Sequence, residues 1–151
     1  MSKSKGDRYE RRLVNLFADA GYMVMRSPSS GSATTRAQPD VLTLRDGERL
    51  AFEVKYEGSA DGIVYLDREE IDALCTFATV SGATPMVVVR WKRDGAFYLY
   101  GVEQLDETEG GNFRVTREMC GAAQATLADP EVKRGHGRTV AAVEKRGVTD
   151  D

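Results

Sequence analysis

An uninterrupted apolar segment places the strongest limit on the fold of this 151-residue chain. Met86–Val89 reads Met-Val-Val-Val, follows Pro85 and is bounded by turn-forming residues. A short apolar run without alternating polar residues is typical of a central strand that is covered on both faces. Such a strand needs helices or a second sheet to bury it, and a chain of this length has room for one domain that supplies them.

Two amphipathic segments supply candidate helices. Asp7–Ala20 carries apolar residues at helical spacing and is followed by a glycine. A second helix is predicted over Asp67–Val80, with Asp67 as the N-cap, Glu70 closing a capping box and Gly82 ending the helix. Helices of this kind bury their apolar stripe against a sheet.

The remaining periodic segments have strand composition. Val41–Leu44 and Leu50–Tyr56 flank a turn that contains Asp46-Gly47, which is a strong hairpin signal. The order of helices and strands predicts an α/β fold, a central mixed β-sheet flanked by helices, in which the third strand pairs in parallel with the Met86–Val89 strand. Two further strands are expected at Tyr22–Met25 and Ala96–Val102.

Composition separates a single folded domain, residues 1–128, from a charged C-terminal tail, residues 129–151, which we expect to be mobile. No segment approaches the roughly 20 apolar residues that cross a bilayer, and the N-terminus has no apolar signal-peptide core. We therefore expect a cytoplasmic protein without membrane contact. Cys75 and Cys120 are too few for a disulfide framework, and with His136 they cannot complete a zinc site without carboxylates.

Charge is distributed unevenly along the chain. Residues 1–36 contain seven Lys and Arg against three Asp and Glu, a net charge of +4, whereas the rest of the chain carries −7. A chain with a negative total of −3 still binds nucleic acid when its basic groups gather on one face. The total charge therefore does not decide the partner, and the basic N-terminal part is compatible with DNA.

Three acidic residues and one lysine form the candidate catalytic set. Glu53 and Lys55 are two positions apart on a predicted strand and therefore project from the same face. If the first helix covers that face, both are partly desolvated, which is costly unless they pair or hold a ligand. Asp40 opens the preceding strand, and the hairpin can bring it near Glu53. Glu10 lies on the inward flank of the first helix and is a candidate third carboxylate.

Carboxylates that converge repel one another unless a divalent cation lies between them. Mg²⁺ is the expected cofactor of Glu10, Asp40 and Glu53, because it takes oxygen ligands and keeps waters that phosphate oxygens can replace. Mn²⁺ is a candidate substitute. Lys55 would orient or help deprotonate the attacking water and neutralise charge in the transition state. The set predicts metal-dependent phosphodiester hydrolysis.

Each of these signals also has a structural interpretation. A lone Glu-x-Lys pair occurs often on solvated strands, and Glu10 by itself equally fits a salt-bridging edge residue. The hydroxyl-rich segment Ser27–Thr35 equally fits a flexible linker. It is flanked by Arg26 and Arg36 and leads into Asp40, and its hydroxyl and N–H donors suit a phosphate backbone.

Several motifs taken together resemble one family. The motifs are Tyr9-Glu10-Arg11, Arg26-Ser27-Pro28-Ser29-Ser30-Gly31-Ser32, Pro39-Asp40-Val41 and Glu53-Val54-Lys55. With these motifs at this spacing, the chain resembles the archaeal-type Holliday junction resolvases, small dimeric members of the PD-(D/E)xK nuclease superfamily, over about residues 5–115. The resemblance implies a restriction-endonuclease-like fold and an Mg²⁺-dependent endonuclease that resolves four-way DNA junctions by paired symmetric nicks.

The resemblance also implies roles for individual residues. Asp40 and Glu53 would hold Mg²⁺, Glu10 would complete the acidic cluster and Lys55 would serve the water. Ser30 would act close to the scissile phosphate. Arg12 stands where relatives often have an acid and would add positive charge beside the DNA. The expected DNA contacts are Arg11, Arg12, Arg26, Ser30, Ser32 and Arg36.

A symmetric homodimer is expected, because a four-way junction has two-fold symmetry and paired cuts need two identical sites. The dimer surface would use apolar residues of the second helix and neighbouring strands. Two alternatives stay open. One is a related nuclease that acts on flapped, nicked or site-specific duplex DNA, and the other is a junction-binding scaffold without catalysis.

Overall fold

The computed structural model describes residues 3–27, 38–57, 62–91, 95–129 and 144–145. These ranges contain the helices α1 (Lys3–Asp19) and α2 (Arg68–Ser81) and ten strands. None of the helices described there has the length and apolar character that a membrane span requires. The strands are β1 (Met23–Arg26), β2 (Val41–Arg45), β3 (Glu48–Glu57), β4 (Ile63–Leu66), β5 (Thr84–Trp91), β6 (Ala96–Gly101), β7 (Asp106–Glu107), β8 (Phe113–Thr116), β9 (Ala125–Ala128) and β10 (Glu144–Lys145).

A seven-stranded mixed sheet forms the centre of the molecule, in the order β1-β2-β3-β5-β6-β9-β10. Strands β3 and β5 pair in parallel, with Glu53 opposite Val87 and Lys55 opposite Val89, while the other neighbours are antiparallel. The segment Met86–Trp91 of β5 is buried throughout. The predicted central strand, its parallel partner and the mixed sheet are therefore confirmed.

The sheet is covered on both faces. On one face the α1 side chains Leu13 and Phe17 pack in a buried cluster with Phe52 and Val88. On the other face lie α2 and a small second sheet, in the order β4-β8-β7, whose apolar side chains pack against β5 and β6. Side chains of β3 therefore alternate between the two layers, Phe52 toward α1 and Ala51 toward Leu74 of α2.

The local signals in the sequence specify the turns and the helix start. Asp46 and Gly47 have φ values of +49° and +83°, as a two-residue hairpin turn of type I′ requires, and β2 and β3 pair in register across it. Helix α2 begins after Asp67 with the predicted capping box to Glu70, and Gly82 ends it in the left-handed conformation. The predicted helices and hairpin are confirmed within one to four residues at their ends.

The C-terminal part of the chain contains more structure than the sequence predicts. Asp129, assigned to the tail, is fully buried and accepts hydrogen bonds from Arg12 and Arg90, so the folded domain extends through it. Composition cannot show this, because the partners of its charge lie 39 and 117 residues away. Strand β10 lies in the predicted tail and pairs with β9, and the other tail residues from position 130 onward lie outside the described ranges.

Candidate active site

The β2–β3 hairpin fixes Asp40 beside the Glu53-Val54-Lys55 segment. The Asp40 backbone N–H donates to the Phe52 carbonyl oxygen over 2.9 Å, which continues the β2–β3 pairing beyond the end of β2. The Asp40 Oδ2 accepts a hydrogen bond of 2.9 Å from the backbone N–H of Val54. The carboxylate is therefore tied to β3 between the two charged residues of the motif, next to Glu53 as the sequence predicts.

Glu53 and Lys55 project from the α2 face of the sheet. Helix α1 does not cover them, because strand alternation directs Phe52 and its neighbour Val54 toward α1. The Glu53 side chain is 14% exposed and that of Lys55 27%, and Lys55 Nζ lies 3.7 Å from Glu53 Oε2. Both charges are thus partly desolvated and near each other.

Burial is the largest influence on the pKa of both Asp40 and Glu53, and neighbouring acids add to it. Burial, followed by the charge of Asp40, raises the pKa of Glu53 to about 8 against the opposing charge of Lys55. Burial also raises the pKa of Asp40, and the Val54 N–H and Lys55 oppose that shift. Lys55 alone therefore does not neutralise the negative charge that the fold brings together here.

Glu10 lies at the border of this site, but its carboxylate is held by an arginine. Glu10 Oε1 accepts hydrogen bonds from Arg26 Nε at 3.2 Å and from Arg26 Nη2 at 2.9 Å. Burial, followed by the charge of Asp40, raises the pKa of Glu10. Among the described residues no three Asp, Glu, His or Cys side chains are grouped so that they could hold a metal ion. The structure thus brings Asp40 and Glu53 together, and it does not add Glu10 as a third ligand.

The two remaining carboxylates suit Mg²⁺ without a third. Magnesium is usually held by one or two carboxylates, with waters and substrate phosphates completing its coordination. Burial, and after it the charge of neighbouring acids, raises the pKa of both Asp40 and Glu53, and a dication beside them would stabilise their charged forms. The donor set and its excess negative charge therefore fit such an ion.

The basic residues assigned to DNA binding have different surroundings. Arg26 is paired with two acids, Glu10 and Asp7, and its Nη2 lies 2.5 Å from Asp7 Oδ1. Arg11 is largely exposed, and its Nη2 lies 3.1 Å from Asp7 Oδ2. Arg12, in contrast, is only 14% exposed and is directed into the fold at Asp129, so its position does not favour the predicted DNA contact.

The hydroxyl-rich segment lies mostly outside the described residues, and with it Ser30, Ser32 and Arg36. Its two ends are joined next to the site. The Ser27 backbone N–H donates to the Asp40 carbonyl oxygen over 3.0 Å, and Ser27 Oγ donates to the Pro39 carbonyl oxygen. The described residues on the two sides of positions 28–37 are therefore joined directly beside Asp40.

Two acidic residues near the site were not predicted from the sequence. Glu70 accepts a hydrogen bond of 3.0 Å from Lys55 Nζ, although its sequence signal indicated only a helix cap. Asp7 pairs with both Arg11 and Arg26. The contact of Asp7 with Arg11 follows the i, i+4 spacing of a helix and could have been found, whereas the contacts to Lys55 and Arg26 depend on tertiary packing.

Comparison with known proteins agrees with this geometry. A model of the archaeal Holliday junction resolvase family, Hjc, matches residues 1–133. The crossover junction endodeoxyribonuclease Hjc of Sulfurisphaera tokodaii is 32% identical over 117 residues, which cover 78% of this chain and 79% of the relative. The Archaeoglobus fulgidus protein of the same name is 33% identical over 117 residues, 78% of this chain and 82% of the relative.

A solved structure extends the agreement to the fold. The crystal structure of Hjc from Archaeoglobus fulgidus, described as a Holliday junction resolvase, superposes with a TM-score of 0.68 at 28% identity and covers 85% of this chain and 94% of that one. The mixed sheet flanked by helices is the PD-(D/E)xK nuclease fold of this structural neighbour. Within that class, the chain belongs to the archaeal Holliday junction resolvase family.

Proposed function

We propose that this protein is a structure-selective endodeoxyribonuclease that resolves four-way DNA junctions by paired, symmetric nicks. The observation that carries the proposal is the position of the Asp40 carboxylate, which the Val54 backbone N–H holds between Glu53 and Lys55. The proposal agrees with the relatives of this chain, which are named crossover junction endodeoxyribonucleases. The reaction is hydrolysis of a phosphodiester bond, and the protein acts in DNA recombination and repair.

The proposed cofactor is Mg²⁺, held by Asp40 and Glu53, with Mn²⁺ as a substitute. Bound there, the ion would supply Lewis-acid stabilisation of the charge that develops on the phosphate. Lys55 holds its ammonium group beside the two carboxylates, where it can orient the attacking water or donate to a phosphate oxygen. Because these groups are only partly exposed, their charges are screened less than they would be in bulk water.

The arginines near the site would hold the DNA backbone. Arg26 and Arg11 lie on the side of the site where α1 meets β1, and their acidic partners Asp7 and Glu10 keep them ordered before DNA arrives. Phosphate contacts of this kind position the DNA without reading its bases. We therefore propose that the protein recognises the shape of the branched backbone, and that its binding weakens as salt rises.

The active assembly is proposed to be a homodimer, since one site cuts one strand and a symmetric pair is needed for two. Apolar side chains are available for the interface. Met23 and Met25 on edge strand β1 are largely exposed, and Met25, Leu42 and Phe77 line a depression of about 280 Å³ beside them.

Sedimentation velocity tests this interface. The wild type should sediment as a dimer, and Met25→Glu should shift it toward the monomer. A variant that stays as dimeric as the wild type would place the interface elsewhere.

A cleavage assay tests the function directly. The protein would be incubated with Mg²⁺ and either a four-way junction labelled on each strand or linear duplexes of the same sequences. The proposal expects cuts in two opposing strands of the junction, at symmetric positions, and no cutting of the duplexes. Cuts in nicked, flapped or linear DNA at comparable rates would instead identify a nuclease with a different substrate.

Two variants separate catalysis from binding. Asp40→Ala and Glu53→Ala should remove cleavage while junctions are still retained in a gel shift, because the arginines that hold phosphates are unchanged. If both variants and the wild type bind junctions alike and none cuts, the protein is a scaffold and the proposal is wrong.

A further inference from the structure

Glu70 contacts the proposed catalytic lysine more closely than Glu53 does. Lys55 Nζ donates to Glu70 Oε2 at 3.0 Å, whereas Glu53 Oε2 lies 3.7 Å from the same nitrogen. Asp40 uses one of its oxygens to accept the Val54 N–H. The Lys55 ammonium group is thus hydrogen-bonded to a residue of α2 and lies farther from Glu53 on its own strand, β3.

The position of Glu70 is fixed by the start of α2. Its other oxygen, Oε1, accepts a hydrogen bond of 3.1 Å from the Asp67 backbone N–H, as part of the capping box that the two residues form. The helix is anchored in turn by buried Ile71 and Leu74. One carboxylate therefore joins the first turn of a packed helix to the ammonium group of Lys55.

This contact has a consequence for Asp40 and Glu53. A lysine side chain is long and flexible, and two unneutralised carboxylates nearby attract its ammonium group. If it moved onto them, it would occupy the oxygens that a cation needs. A third carboxylate, fixed by the cap of α2, holds the ammonium group 3.0 Å from Glu70 and 3.7 Å from Glu53 instead.

We propose that Glu70 is a positioning residue for Lys55: one of its oxygens caps α2, and the other holds the lysine away from the Asp40–Glu53 oxygens and in line with the substrate. This inference rests on the proposed function, because it assigns Lys55 to the water or the phosphate. It adds a residue that acts through Lys55 and does not itself touch the reacting atoms.

The experiment uses the full chain and four different substitutions, each made singly, with Glu70→Gln also made in the Lys55→Met background. Glu70→Gln keeps an oxygen that can accept the Asp67 N–H but removes the charge that holds Lys55. Asp67→Ala removes the side-chain half of the capping box and leaves Glu70 with both the backbone N–H of position 67 and the Lys55 contact, and therefore measures what a weakened helix start alone contributes. Glu69→Gln removes an exposed charge from the same helical turn. Lys55→Met supplies a background in which Glu70 has nothing to position.

The first readout is the single-turnover cleavage rate at saturating protein, set beside the dissociation constant for the junction. The proposal expects Glu70→Gln to cut about 10- to 100-fold more slowly, as for residues that orient a catalytic group, with unchanged junction affinity. Asp67→Ala should melt at a lower temperature and cut at nearly the wild-type rate, and Glu69→Gln should resemble the wild type. Equal slowing by Asp67→Ala and Glu70→Gln would mean that Glu70 is only a cap and would overturn the proposal.

The second readout is Mn²⁺ binding, followed by electron paramagnetic resonance without DNA. Glu70→Gln should weaken Mn²⁺ binding in the wild-type background, because the released lysine competes for Asp40 and Glu53. In the Lys55→Met background the same substitution should have a much smaller effect. An effect of the same size in both backgrounds would make Glu70 a metal ligand and would overturn the positioning role.

The two proposals fail in different ways. If the wild type cuts junctions and Glu70→Gln cuts them equally fast, the positioning role is wrong and the proposed function stands. If the wild type cuts no junctions, the proposed function is wrong, whereas the Mn²⁺ comparison still reports whether Glu70 holds Lys55 off the two acids.

Discussion

Two groups of charges in this molecule are both assembled from distant parts of the chain, but their balance differs. In one, Asp129 accepts contacts from Arg90 Nε and Nη2, both at 3.1 Å, and from Arg12 Nη1 at 3.2 Å. In the other, Lys55 is the cation for the acids Asp40, Glu53 and Glu70, and the four formal charges sum to −2.

The difference indicates which group is structural and which is functional. Asp129 is fully buried, Arg90 is 1% exposed and Arg12 14%, so the Asp129 carboxylate is closed to solvent and is satisfied by protein cations, with a formal sum of +1 for the three charges. The Lys55 group is partly open and keeps a negative excess that burial makes unfavourable. A buried carboxylate that is held by protein cations stabilises the fold, whereas an excess of negative charge at the surface is suited to a metal cation.

The largest expected effect follows from removing one acid of the Lys55 group. Glu53→Gln should lower the junction-cleavage rate by on the order of 10³-fold, because it removes a proposed metal ligand. In metal-free buffer its melting temperature should equal or exceed that of the wild type, since the substitution relieves repulsion between acids. Single-turnover cleavage and thermal melting measure the two effects. A fall in melting temperature as large as that of a variant at Asp129 would contradict the distinction between the clusters.

The Asp129 cluster should respond in the opposite way. Asp129→Ala leaves the buried guanidinium of Arg90 without its carboxylate and should lower the free energy of unfolding by about 3–5 kcal/mol. Urea denaturation measures this loss. The cleavage rate per folded molecule should stay close to that of the wild type, because the cluster lies on the α1 side of the sheet. A loss of stability below about 1 kcal/mol, the range of an exposed pair, would show that the cluster is not structural.

The smallest effect is expected at the pairs between Asp7 and the two arginines. Asp7→Asn removes the acid that Arg11 and Arg26 share and should tighten junction binding by roughly two- to tenfold at low salt, with a steeper loss of affinity as salt rises. Asp19→Asn, an exposed acid at the far end of the same helix, is the matched control. Equal effects of the two substitutions would mean that only the total charge of the protein matters.

The structural features that the sequence predicts correctly are those that interactions between neighbouring residues determine. The Asp46-Gly47 turn, the capping box at Asp67 and Glu70, and the buried run of β5 are specified by neighbouring residues, and each was predicted. The hairpin also allowed Asp40 to be placed beside Glu53, because its register follows from the turn.

The features that were missed depend on contacts between distant segments. The position of Glu53 and Lys55 on the α2 face could not be predicted, because strand alternation shows that two side chains share a face and does not show which helix covers it. Asp129 was assigned to the tail because a charged segment resembles a solvated one until its buried partners are known. Strands β7 and β8 are short and partly exposed, and so carry little apolar pattern.

Calorimetric titration of Mg²⁺ into DNA-free protein tests most directly whether the excess charge at Asp40 and Glu53 is what a cation neutralises. The wild type and Asp129→Asn should bind Mg²⁺ alike, and Asp40→Asn and Glu53→Gln should each bind it at least about tenfold more weakly. Equal affinity in all four proteins would contradict the account, because the cation would then be bound elsewhere.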